Sequence, residues 1–131
     1  MTIFVDASAL VAMIMGEPEA NVLTDRLEGS NDRLCSPVVE WESVVALCRS
    51  YHAPVDIARN RVRGAIELLA LRTVSIGEQE SAAALDAYQR YGKGRHPAKL
   101  NMGDCFAYAC AKANNARLLY KGDDFSHTDL A

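Results

Sequence analysis

Apolar positions along the chain fall into short unbroken runs alternating with longer stretches at helical spacing. Thr2–Val5 is a compact strand-like run ending at Asp6. Ser8 to Met15 is then an apolar helical stretch stopped by Gly16. Glu17-Pro18 opens a second helix, with Ala20, Leu23 and Leu27 on one face and Gly29 as its stop. Arg33–Cys35 predicts a second strand. Ser36-Pro37 supplies an N-cap followed by proline at the first helical position, and the helix it starts runs to about Tyr51. Val55–Leu69, entered after Pro54, turns Val62, Ile66 and Leu69 inward and Arg59, Arg61 and Arg63 outward. Thr73–Ile76 reads as a strand, Glu78–Tyr91 as an alanine-rich helix, Gly92–Leu100 as a loop, Asn101–Asn114 as a helix and Arg117–Tyr120 as a strand, with an irregular end from Lys121. Strands that alternate with helices predict one α/β domain over residues 1–131. Its central, mostly parallel sheet of four to five strands has helices on both faces, an α/β/α arrangement.

Composition narrows the class without naming a function. The chain has 131 residues, too few for two separate cores. Its longest apolar runs, Ser8–Met15 and Val44–Cys48, fall short of the roughly 20 residues that span a bilayer. The N-terminus lacks the basic region and cleavage site of a signal peptide, so a cytoplasmic protein is expected. Cys35, Cys48, Cys105 and Cys110 are scattered without zinc-ligand spacing and read as reduced, buried thiols. The net charge of −3 by itself disfavours a nucleic-acid partner. Setting aside four acids for a metal site leaves a formal +1, so charge does not decide the matter.

The acids carry more information. Ligand sites of open α/β sheets lie beyond the carboxyl ends of the strands. Asp6 ends the first strand, Glu42 lies in the helix after the second, Asp104 lies in the first turn of the helix before the last strand, and Asp123 and Asp124 follow that strand. Four segments can thus bring carboxylates to one edge of the sheet. Such a cluster raises its own pKa values, and a hard divalent cation with oxygen ligands relieves the repulsion. A site of that kind suits phosphodiester hydrolysis.

Each acid also has a plainer reading. Asp6 could cap the helix it precedes, Asp104 could serve the dipole of its helix with Asn101 as cap, and Asp123-Asp124 could be a solvated turn. Glu42 is harder to explain away, because apolar neighbours crowd its helix and an unpaired buried glutamate is costly. Glu40 competes with it, but two helical residues lie about 200° apart, so both cannot face one site. Glu40 shares a side with Ser43, Ser50 and Tyr51, the more polar side, which leaves Glu42 as the inward acid.

The residues resemble a known family. The opening Ile3-Phe4-Val5-Asp6-Ala7-Ser8-Ala9-Leu10-Val11-Ala12 looks like the start of VapC-type PIN domains. Cys35-Ser36-Pro37-Val38-Val39-Glu40-Trp41-Glu42 resembles the segment ending in the family's next acid. The most specific match is Leu100-Asn101-Met102-Gly103-Asp104-Cys105-Phe106-Ala107-Tyr108-Ala109. Leu118 to Phe125, with Thr128-Asp129, resembles the closing segment, so the likeness runs from Thr2 to Asp129.

The resemblance implies a PIN-fold endoribonuclease, the toxin of a toxin–antitoxin pair, using Mg²⁺ or Mn²⁺ and restrained by a VapB-type antitoxin. It implies Asp6 and Asp104 as metal ligands, completed by Glu42 and by Asp123 or Asp124. Distance from the strand end favours Asp123. Ser8 and Asn101 would support the ligands or touch phosphate, and either could equally be a helix cap. A homodimer is also implied. The basic loop with Lys93, Arg95, His96 and Lys99 precedes Asn101 and could bind RNA backbone. His52, His96 and His127 lie in no pairing that suggests metal-free catalysis. Two alternatives stand beside this reading. An aspartyl-phosphate enzyme would want a second acid near Asp6, where this chain has Ser8. A non-catalytic binding module would be indifferent to Mg²⁺.

Overall fold

The computed structural model describes residues 1–130. Four parallel strands, β1 (Thr2–Val5), β2 (Asp32–Cys35), β3 (Arg72–Thr73) and β4 (Arg117–Leu119), form one sheet in the order β3-β2-β1-β4. Six helices are described: α1 (Ala7–Met15), α2 (Ala20–Glu28), α3 (Pro37–Tyr51), α4 (Val55–Leu68), α5 (Glu78–Tyr91) and α6 (Met102–Ala113). The α/β class, the parallel sheet and its flanking helices agree with the sequence reading. Among the described residues no helix is long and apolar enough to cross a membrane.

The strand order explains where a site can form. The chain steps outward from β1 to β2 to β3, then returns across the sheet to lay β4 on the other side of β1. Successive parallel crossovers share one hand, so reversing direction sends α5 and α6 to the face opposite α1–α4. The loops after β1 and β4 therefore diverge and open a crevice at their carboxyl ends. β1 is the spine, with Phe4 and Val5 fully buried between neighbours on both sides. The Asp6 amide extends the ladder by donating to the Leu119 carbonyl at 2.9 Å.

Local signals account for most boundaries. Gly16 ends α1 in the left-handed region at φ 64°, where L-residues are strained. Ser36 caps α3 by accepting from the Val39 amide, with Pro37 at the first helical position. Three expectations need correction. α2 begins at Ala20 rather than Glu17, because the Glu17 amide is spent on the Ala12 carbonyl closing α1. β3 covers Arg72–Thr73 and not Thr73–Ile76. Past it, only the Val74 amide still reaches the Cys35 carbonyl, at 2.9 Å. Ser43, read as part of the polar side of α3, is fully buried in a stripe with Val39 and Leu47. The exposed side instead carries Trp41, 62% accessible. The buried stripe follows the i, i+4 spacing, which the polar label of one serine obscured.

Candidate active site

A cavity of about 430 Å³ opens beside the carboxyl ends of β1 and β4, lined by Asp6, Glu42, Asp104 and Asp124 together with Ser8 and Asn101. Acids from four separated segments therefore meet there. Asp123 does not line it. β4 ends one residue earlier than the sequence suggested, and Gly122 turns the chain at φ 94°. The Asp123 carbonyl is then engaged by the Ser126 amide and hydroxyl at 3.0 and 2.6 Å, with its side chain exposed. Asp124 takes the position expected of Asp123.

Asp6 is both cap and cavity acid. It is the N-cap of α1, and its Oδ2 accepts the Ser8 amide at 3.1 Å and the Ser8 hydroxyl at 2.6 Å. The Ser8 hydroxyl in turn accepts the Lys121 amide at 3.0 Å, tying the loop after β4 to the acid after β1. Asp104 forms a reciprocal capping box: its amide donates to Asn101 Oδ1 at 2.9 Å, and its Oδ2 accepts the Asn101 amide at 3.0 Å. In both aspartates these bonds fall on Oδ2. The plain capping readings of Asp6 and Asn101 are thus correct, and the same bonds orient two carboxylates that line the cavity.

Glu42 reaches the same cavity from α3, where its carboxylate packs on Gly103; a Cβ added there would overlap it. Glu40 instead leaves the site and pairs with Arg63 at 2.9 Å. Electrostatically the acids are frustrated. Burial pushes Glu42 up to about 7, with Asp6 and Asp104 adding to the shift. Burial also raises Asp104 to about 7 against the lowering bond from the Asn101 amide, and Asp6 and Asp124 raise it further. Asp6 is raised by burial, opposed by its bonds to Ser8, with Asp124 a smaller contributor.

These shifts set a stability profile. An acid whose pKa is raised in the fold binds its proton more tightly there than in the unfolded chain. Its cost is absent below the unfolded value, grows as pH rises between the two values, and is complete above the folded one. For Glu42 and Asp104 that window runs from about 4 to about 7. The metal-free protein should therefore melt at a higher temperature at about pH 5 than at about pH 8. Thermal melts in EDTA at the two pH values check this, and Mg²⁺ should narrow the gap at the higher one.

The donor set fits a hard cation. All four acids offer oxygen, two are buried, and the Glu42 carboxylate accepts no hydrogen bond among the described residues. Among the described residues no group of three or more His, Cys, Asp or Glu stands close enough to hold a metal ion by side chains alone. Mg²⁺ needs only one or two direct carboxylates and keeps several waters.

Other expected groups lie elsewhere. Cys35, Cys105 and Cys110 are buried free thiols, and Cys48 is half-buried. The His96 ring stacks edge-on against Tyr91, and its Nδ1 accepts the Ala98 amide, which makes it a loop-shaping residue. Two charged residues of the cavity lie outside the acids that the sequence singles out: Glu17, just past the α1 stop, and Lys121, just past β4. They are separated by 104 positions, so no local pattern pairs them.

A PIN-domain family model matches residues 3–130. A VapC ribonuclease of Rhizobium meliloti is 43% identical over 97% of this chain and 98% of its own length. Ribonuclease VapC30 of Mycobacterium tuberculosis is 39% identical over 97% of this chain and 95% of its own. Among solved structures, Mycobacterium tuberculosis VapC20, described as a sarcin–ricin loop cleaving toxin, superposes with a TM-score of 0.67 at 19% identity, covering 95% of this chain and 92% of that one. A VapBC2 complex of Rickettsia felis bound to promoter DNA gives 0.73 at 15% identity, covering 99% and 95%. With the fold, the site and these likenesses together, the chain belongs to the PIN-domain family, among the VapC ribonucleases.

Proposed function

We propose that this protein is a Mg²⁺-dependent endoribonuclease, the toxin of a toxin–antitoxin pair, which hydrolyses RNA phosphodiester bonds with water. The observation that carries the reading is the meeting of Asp6, Glu42, Asp104 and Asp124 in one cavity at the switch point of the sheet, with buried acids held at raised pKa. Asp6 and Asp104 would hold the cation, their carboxylates oriented by the capping bonds. When bound, Mg²⁺ supplies charge neutralisation at the phosphate and a water of lowered pKa. Glu42 and Asp124 would orient the attacking water, and the Glu42 carboxylate would be the group placed to accept its proton. Ser8 and Asn101 hold the two ligand carboxylates in place.

The resemblance to VapC-type PIN domains implies hydrolysis that leaves fragments with a 5′-phosphate and a 3′-hydroxyl. Fragments with a 2′,3′-cyclic phosphate would mean that the RNA's own 2′-hydroxyl attacked, and would remove this mechanism. Among the acids, Asp124→Asn should lower the rate on the order of a hundredfold, whereas Asp123→Asn and Glu40→Gln should change it little. Equal losses at Asp123 and Asp124 in a cleavage assay would contradict the assignment.

A VapB-type antitoxin partner and a homodimer are part of the same proposal, together with a cytoplasmic setting. Large exposed apolar side chains support the need for partners: Trp41 and Val55 border one groove, and Leu85 and Met102 border another beside Asn101.

A further inference from the structure

Lys121 is the one cation among the described residues lining the acidic cavity. Its Nζ donates to Glu17 Oε1 at 2.7 Å and lies 4.0 Å from Glu19 Oε2. The pairing is not needed to fasten this loop, because the Lys121 amide is already bonded to the Ser8 hydroxyl. Nor is Glu17 dependent on it, since its other oxygen accepts the Tyr51 hydroxyl. The ammonium sits on a flexible four-carbon stem and is only partly buried, so it can leave one anion for another. The surrounding charge makes such a departure useful. RNA brings further negative charge into a cavity that already holds Asp6, Glu42, Asp104, Asp124 and Glu17.

We propose that Lys121 is a substrate-binding catalytic residue: on RNA binding its ammonium moves from Glu17 to the non-bridging oxygens of the phosphodiester at the cavity. Glu17 is its resting partner and a positioning residue. The inference rests on the ribonuclease reading of the same cavity and extends it to the substrate phosphate.

The test measures binding of a short single-stranded RNA oligonucleotide by fluorescence anisotropy at several salt concentrations, in an Asp6→Asn background that leaves the RNA uncut. Lys121→Met should weaken binding and lower the slope of log affinity against log salt by about one. Lys121→Arg should restore most of both. Glu17→Gln should tighten binding several-fold by releasing the lysine, and that gain should vanish in the Glu17→Gln/Lys121→Met double variant. In the otherwise unaltered protein, Lys121→Met should cost on the order of a hundredfold in kcat/KM. If the pair is only a structural tie, Glu17→Gln and Lys121→Met will weaken binding alike, in step with their melting temperatures, with the salt slope unmoved; that result overturns the proposal. RNA that binds equally well to Lys121→Met sinks the lysine's role alone. RNA that neither binds to nor is cut by the unaltered protein sinks the ribonuclease reading with it.

Discussion

Asp104→Asn is expected to lose Mg²⁺-dependent RNA cleavage by at least about a hundredfold while melting, without metal, at or above the temperature of the unaltered protein. The two halves of that expectation come from the same geometry. Asp104 is buried, and Asp6 and Asp124 push its pKa up, so its charge is a liability in the empty site. Asparagine keeps an oxygen that can accept the Asn101 amide, so the capping box survives and only the charge is removed. Mg²⁺ should then raise the melting temperature of the unaltered protein and leave the variant nearly unmoved, because a ligand stabilises only the state that binds it. At ten times the dissociation constant the stabilisation is about 1.4 kcal/mol, a shift of a few degrees. A purely capping role predicts the reverse: a cost of up to about 1 kcal/mol for the substitution and no response to Mg²⁺ in either protein. Four melting curves separate the two.

Gly103→Ala should silence the enzyme without loosening the fold. Alanine in place of glycine inside a helix ordinarily stabilises it by about 1 kcal/mol, and no left-handed backbone demands a glycine at this position. The added Cβ, however, falls on the Glu42 carboxylate. That group is the far end of a side chain with rotatable bonds, so it can move aside at small cost in stability. Moving aside takes it from the cavity. The expected result is an unchanged or higher melting temperature with cleavage reduced on the order of a hundredfold, about as far as Glu42→Ala. The double variant should be no worse than either single one, because both remove the same carboxylate. A Gly103→Ala protein of full activity would show that Glu42 is not needed where it lies.

Much of this was readable from the residues, and the failures are instructive. The β1 run, the Ser36-Pro37 start of α3 and the Gly16 stop of α1 are local signals, and they lie where the pattern indicates. Asp6 and Asp104 stand out because a strand end and a helix start are local signals, and Glu42 because apolar neighbours crowd its helix. The choice between Asp123 and Asp124 depended on a turn at Gly122 and on a one-residue difference in where β4 ends, neither of which hydrophobic periodicity resolves. β3 is an edge strand, and the apolar alternation of Val74 and Ile76 continued past the point where the ladder stops. Ser43 escapes the polar pattern of α3 because one polar side chain can sit in a buried stripe. Glu17 with Lys121, and Gly103 under Glu42, are contacts between distant segments that only the folded arrangement reveals.

The most direct test of the central claim is cleavage of RNA by the purified protein, freed of any antitoxin, with the divalent cation removed and then returned. The account predicts no cleavage in EDTA and full recovery on adding excess Mg²⁺, with Asp6→Asn inactive in both. Equal cleavage in EDTA and in Mg²⁺, or an Asp6→Asn variant as active as the unaltered protein, would contradict it.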